Sequence, residues 1–132
     1  MTKLLAERHL ASRPPITVIP HVVDLRYTTN AGGAFGVLGG RPWLFFTATL
    51  VVCGVLVATA FRVGSWPTIV GMGLILGGAL GNLTDRILRG PGVSGRVVDF
   101  IDFHVWPVFN VADSVIVIGA AVVALAGMRR RA

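Results

Sequence analysis

The chain has 132 residues, 54% of them hydrophobic and 14% charged, where soluble domains carry roughly 25% charged residues. Its mean hydropathy of +0.76 cannot be hidden in one soluble core, because a domain this small buries only about two-thirds of its surface. An ordinary soluble domain and a disordered tail are excluded, which leaves a polytopic membrane protein of a single domain, residues 1–132. The net charge of +6 comes from 11 Arg and one Lys against six acids. These cations are scattered between apolar runs and read as contacts to membrane lipid headgroups, with no nucleic-acid partner.

Residues 1–10 (MTKLLAERHL) have no long apolar core of the kind a secretory signal peptide carries. In residues 16–29, Val23, Leu25 and Tyr27 alternate with Asp24, Arg26 and Thr28, which predicts a half-buried strand. Three transmembrane helices follow at 42–61, 67–84 and 108–128, each near the roughly 20 residues a bilayer requires. They read as helices because backbone in lipid must satisfy its own hydrogen bonds. Cys53 lies inside the first and reads as a small inert residue, since a redox motif needs a second cysteine. Gly73, Gly77 and Gly81 stand four apart in the second and predict a close helix–helix approach. Between the second and third spans, a Gly/Pro turn (Arg89-Gly90-Pro91-Gly92) leads into VVDFIDFHVW, which suits a short strand or an interfacial helix. Trp43, Trp66 and Trp106 fall near span ends, as interfacial anchors do.

The terminal Arg129-Arg130-Arg131 reads as cytoplasmic. Three spans then place segment 1–41 outside, together with eight cations against four inside. That count runs against the positive-inside rule, so either some outer cations are functional or something is missing from the N-terminus.

The acids sit where lipid should be. Asp85 closes the second span, Asp113 lies within the third, and Asp99 falls in the apolar run Val97-Val98-Asp99-Phe100-Ile101. A carboxylate at membrane depth costs several kcal/mol unless paired or protonated, and marks function by default. Asn82 and Asn110 stand three residues before Asp85 and Asp113, a spacing that predicts amide and carboxylate on one helical face. Two carboxylates in a low-dielectric site can share a proton and split water-activating and proton-donating roles, which is aspartic peptidase chemistry without metal or cofactor. Intramembrane acids also build ion or proton pathways. Asp99, Asp102 and His104 would make only a weak three-ligand metal site. Set against these, Asp85 beside Arg86 reads as a helix-end ion pair, Asp102 as a solvated loop acid and His104 as an interfacial residue.

Four blocks carry a resemblance: Asn30-Ala31-Gly32-Gly33-Ala34-Phe35-Gly36, Gly77-Gly78-Ala79-Leu80-Gly81-Asn82-Leu83-Thr84-Asp85-Arg86, Val97-Val98-Asp99-Phe100 and Phe109-Asn110-Val111-Ala112-Asp113-Ser114. In this order, and separated by spans of the right length, they resemble the lipoprotein signal peptidase (signal peptidase II) family. The resemblance implies an α-helical polytopic membrane aspartic endopeptidase with a small interfacial β-cradle and an extracytoplasmic loop. It implies removal of signal peptides from diacylglyceryl-cysteine prolipoproteins, by a monomer in the inner membrane. The site would face the extracytoplasmic leaflet. It also implies Asp99 and Asp113 as the catalytic pair, with Asn30, Asn82, Asp85, Arg86 and Asn110 as supporting, substrate-binding groups. Asp85 ranks as support because the adjoining Arg86 favours its ionised form. The family has four transmembrane helices, the first ending in a block like D-x-x-(S/T)-K; residues 1–7 (MTKLLAE) resemble its tail, so the expectation is a chain one helix short. The alternatives are a small ion or proton transport subunit and an inactive truncated fragment.

Overall fold

The computed structural model describes residues 1–31, 41–62 and 65–129. The Gly32–Gly36 part of the first block and Arg130-Arg131 lie outside them. In chain order the elements are α1 (Thr2–Leu10), β1 (Ile16–Ile19), β2 (Val23–Asn30), α2 (Pro42–Ala60), α3 (Trp66–Leu88), β3 (Val97–Asp102) and α4 (Val111–Arg129).

Three of these helices, α2, α3 and α4, are long and apolar enough to cross a membrane, with mean hydropathies of 2.1, 1.3 and 2.2. Proline stands in the first turn of both α2 and α3, where its missing N–H would be unpaired anyway. The lower hydropathy of α3 reflects its glycines and its polar end, and burial concentrates there, at Gly71, Met72, Gly78, Ala79, Leu83, Asp85 and Arg86.

Two span boundaries differ from the sequence reading. α3 runs through Asp85-Arg86 to Leu88 because Asp85 and Arg89 form an i,i+4 ion pair that continues the helix. α4 begins at Val111, three residues later than expected, because Phe109 instead pairs its backbone with Ile101.

The α3–α4 interface is built on glycine, but on a different face from the predicted one. A methyl group on Gly71 would meet the Gly119 carbonyl at 2.8 Å, and one on Gly78 would meet the Ala112 carbonyl at 2.5 Å. Gly73 and Gly77 have nothing within 4 Å of such a position. Residues 71 and 78 are two turns apart and share a face, whereas the 73/77/81 row points only partly at α4.

The sheet has the order β1-β2-β3, antiparallel throughout. The segment 16–29 is thus a hairpin and not one strand: Pro20 removes a donor, and His21 takes a positive φ of 61° at the turn. β1 is exposed along its length. β2 lacks the predicted clean alternation, because a register shift between Leu25 and Thr28 inserts one extra residue. The VVDFIDFHVW ambiguity resolves as strand: β3 is buried almost throughout. Val98 and Phe100 pack with Ala6 and Leu10 of α1, joined by Leu25 and Tyr27, so α1 is clamped onto the sheet by an apolar cluster.

Candidate active site

β3 sends Val98 and Phe100 to the α1 cluster, and its alternate residues Val97 and Asp99 line a cavity of about 310 Å³. Asn82 and Arg86 enter that cavity from α3, Phe45 and Thr49 from α2, Asn30 from the end of β2, Asp113 from α4, and Trp106 and Phe109 from the preceding loop. The residues singled out from sequence, Asp99, Asp113, Asn30, Asn82 and Arg86, therefore converge on one space.

Asn110 organises it. Rather than sharing a helical face with Asp113, it is the N-cap of α4: its Oδ1 accepts from the backbone N–H of Ala112 at 2.7 Å and of Asp113 at 3.2 Å. Asp113 Oδ2 in turn accepts the Asn110 backbone N–H at 3.1 Å. This reciprocal arrangement is a capping box with Asp at the third helical position. The Asn110 side-chain nitrogen donates to Asp99 Oδ1 at 2.7 Å and to Asn82 Oδ1 at 3.2 Å. Asn82 Nδ2 donates to Asp113 Oδ1 at 2.7 Å. Both oxygens of Asp113 thus accept, and two asparagines tie the two carboxylates together.

Asp99 is 2% exposed and Asn110 is fully buried. Burial pushes the Asp99 carboxyl up, hydrogen bonds from Asn110 and Asn30 pull it back, and the Asp113 carboxylate pushes it up again, leaving it at about 6. A carboxyl there takes up and releases its proton much nearer neutrality than an ordinary aspartate does.

Asp85 lies outside this cavity. Its Oδ2 meets Lys3 Nζ at 2.8 Å and accepts the Val98 N–H at 3.0 Å, while Oδ1 accepts from Arg89 Nε at 3.0 Å. The sequence reading paired Asp85 with Arg86; its cations are Lys3 and Arg89, because Arg86 is one position round the helix and turns into the cavity. There Arg86 lies 5.0 Å from the Phe45 ring centroid and donates to the Ala31 carbonyl at 3.4 Å. Lys3 also donates to Asn82 Oδ1 at 2.7 Å, and Arg89 to Glu7 at 2.8 Å. Lys3, Glu7 and Arg89 were not singled out as site residues. The signals available were that Lys3 is the chain's single lysine among eleven arginines and that Thr2-Lys3 matches the end of the D-x-x-(S/T)-K-like block.

Asp102 and His104, weighed with Asp99 as metal ligands, are engaged elsewhere. Asp102 pairs with Arg26 and accepts the His104 N–H at 2.8 Å; the His104 ring meets Asp24 at 2.8 Å. Burial raises the Asp102 carboxyl, but His104 and Arg26 outweigh it and hold it below the ordinary range. Asp102 is a buried, paired acid and not a solvated loop residue.

Comparison with known proteins places the fold and the chain in a family. A family model described as Signal peptidase (SPase) II matches residues 1–129. A "Lipoprotein signal peptidase" of Halothermothrix orenii is 46% identical over 126 residues, spanning 95% of this chain and 83% of that protein. One of Rhodococcus jostii is 46% identical over 127 residues, spanning 91% of this chain and 61% of its own. A solved bacterial membrane enzyme structure, obtained by the in meso method, superposes with a TM-score of 0.88 at 31% identity, over 99% of this chain and 80% of that one. A second gives 0.79 at 33% identity, over 95% and 81%. Fold and likeness together define a multi-pass membrane peptidase, which replaces the transport alternative. The chain belongs to the signal peptidase II family.

Proposed function

We propose that this chain removes signal peptides from prolipoproteins, cleaving the bond before a diacylglyceryl-modified cysteine with Asp99 and Asp113 as a carboxylate pair. The observation that carries this reading is Asn110, which donates to Asp99 through its side chain and to Asp113 through its backbone. The names of the relatives support the substrate.

In this mechanism Asp99 holds the proton, consistent with its carboxyl standing at about 6. Asp113 takes a proton from a water as the water oxygen bonds to the scissile carbonyl carbon, while Asp99 protonates the carbonyl oxygen. The tetrahedral intermediate then returns that proton to Asp99 as the C–N bond breaks, and Asp113 delivers its proton to the leaving amine. One water is consumed and the pair returns to its starting state. Asn82 and Asn110 fix the carboxylates, Asn30 steadies Asp99, and Arg86 offers a cation to the substrate backbone. Asp85 supports the site from behind, by anchoring α1 and β3. The chain works as a single-domain monomer in the cytoplasmic membrane, surrounded by lipid. Its site faces the extracytoplasmic leaflet and its C-terminus the cytoplasm.

The test is purified protein in lipid nanodiscs with a diacylated prolipoprotein peptide. Asp99→Asn and Asp113→Asn should each lower kcat by roughly 10²- to 10⁴-fold. Full activity in either variant removes that residue from the pair.

A further inference from the structure

β3 carries the chain from Asp99 to Asp102, and the chain must then reverse to bring Asn110 and Asp113 back beside Asp99. The reversal turns on His104. Its φ is 63°, and the Val105 N–H donates to the Phe103 carbonyl across it at 2.7 Å. A three-residue turn with a positive central φ is the rare, strained kind. A residue with a Cβ persists there only when its surroundings hold it.

Two carboxylates supply that hold. Asp24 and Asp102 stand directly opposite each other in the β2–β3 register. Asp102 Oδ1 accepts the His104 backbone N–H at 2.8 Å, and Asp24 Oδ2 meets the ring Nε2 at 2.8 Å. Arg26 pairs with Asp102, so His104 is the side chain left to face the second of two like charges placed across from each other. The remaining oxygen of Asp24, Oδ1, is buried without a hydrogen-bond partner among the described residues, which leaves the imidazole as the engaged partner of that carboxylate. At the far end of the loop, Phe109 exchanges backbone hydrogen bonds of 2.8 and 3.0 Å with Ile101 and stacks on Phe103 at 5.5 Å. Between these two anchors lies Trp106, 60% exposed, in the wall of the cavity that holds Asp99 and Asp113.

We infer that His104 is a positioning residue for substrate: latched to Asp24, it fixes the turn that sets Trp106 on the rim of the catalytic cavity. The role rests on that cavity being the peptide site proposed above. Phe109 keeps Asn110 and Asp113 in place through its own pairing with Ile101, so the latch acts on the fit of the substrate and not on the chemistry.

The test removes each half of the latch in the full chain in nanodiscs. Asp24→Ala deletes the acceptor; His104→Gly deletes the ring while relaxing the turn backbone. Each should raise KM for the diacylated prolipoprotein peptide roughly two- to fivefold, the worth of a partly exposed ion pair, with kcat unchanged. The double variant should raise KM no further than either single one, since both remove the same contact. Asp24→Asn keeps an acceptor oxygen and should fall between. His21→Gly relaxes the other histidine of positive φ, 61° at the β1–β2 turn, and should change nothing. A second readout needs no turnover. With Trp43→Phe and Trp66→Phe, Trp106 is the one tryptophan left. Its time-resolved fluorescence anisotropy should decay faster in Asp24→Ala and in His104→Gly than in their parent. An unchanged decay in both overturns the latch, as do additive effects on KM. Faster Trp106 motion with KM unchanged overturns its role toward substrate, and a loss in kcat instead of KM shows that the turn serves the carboxylates. If the parent cleaves nothing, the peptidase reading fails by itself and the anisotropy still decides the latch.

Discussion

Asn110 donates its side-chain amide to Asp99 at 2.7 Å while capping the helix that carries Asp113. The placement of one carboxylate relative to the other is thereby bound to the start of α4.

Removing that link has two consequences. Asn110→Ala deletes the cap, worth about 1 kcal/mol, and takes from Asp99 a donor that favours its charged form. Thermal unfolding should show the destabilisation. The alkaline limb of the kcat/KM profile should move to higher pH, because the Asp99 carboxyl then rises further.

Asp99 makes the protein's stability depend on pH. Its carboxyl stands at about 6 when folded, against an ordinary 3.8, so the folded state binds the proton more tightly. The stabilising contribution is fully present below about 3.8 and is lost as pH rises through about 6, a change of about 3 kcal/mol. Asp99→Asn should therefore raise the Tm at pH 7.5 and not at pH 3.5 while abolishing cleavage, which separates loss of chemistry from loss of fold. A lower Tm at pH 7.5 would refute the burial argument.

Asp85 provides a contrast. With Lys3, Arg89 and the Val98 amide all bound to it, Asp85→Asn should destabilise by about 2 kcal/mol while the folded fraction retains measurable cleavage. Lys3→Met should do the same, and the double variant should cost less than the sum of the two. Activity lost to the level of Asp113→Asn, with the fold intact, would move Asp85 into the chemistry.

The glycine face is testable by insertion of single methyl groups. Gly78→Ala forces a carbon to 2.5 Å from the Ala112 carbonyl and should cost about 1–3 kcal/mol. It should also reduce kcat, because the α3–α4 spacing sets the Asn82–Asp113 contact. Gly73→Ala, which meets nothing within 4 Å, should be neutral or slightly stabilising through helix propensity. Melting curves of the two proteins check this.

The membrane class and three spans were legible because apolar runs of about 20 residues have few other solutions. Asp99, Asp113 and Asn82 stood out because polar groups amid apolar sequence are costly and need a reason, whereas Asn30 and Arg86 were drawn to the site only by the family resemblance. The remaining features turned on information that spacing does not carry. Asn110 and Asp113 fit the periodicity of one helical face, yet Asn110 caps the helix, since competition from the β3 pairing at Phe109 sets where α4 starts. The 73/77/81 glycine row has the four-residue spacing of a close contact, yet Gly71 and Gly78 make it, because which face meets α4 depends on the partner's own glycine, Gly119. Lys3 and Asp85 are more than 80 residues apart, and only the docking of α1 on the sheet brings them together.

α2 closes one side of the carboxylate cavity. It supplies Phe45 and Thr49 to the cavity wall, yet among the described residues of that helix Cys53 alone is buried. Its polar attachment to the site is the Arg86–Phe45 contact, an interaction of roughly 0.5–2 kcal/mol. One guanidinium resting on one ring therefore joins the site to a largely exposed helix, alongside the packing of α2 on α3.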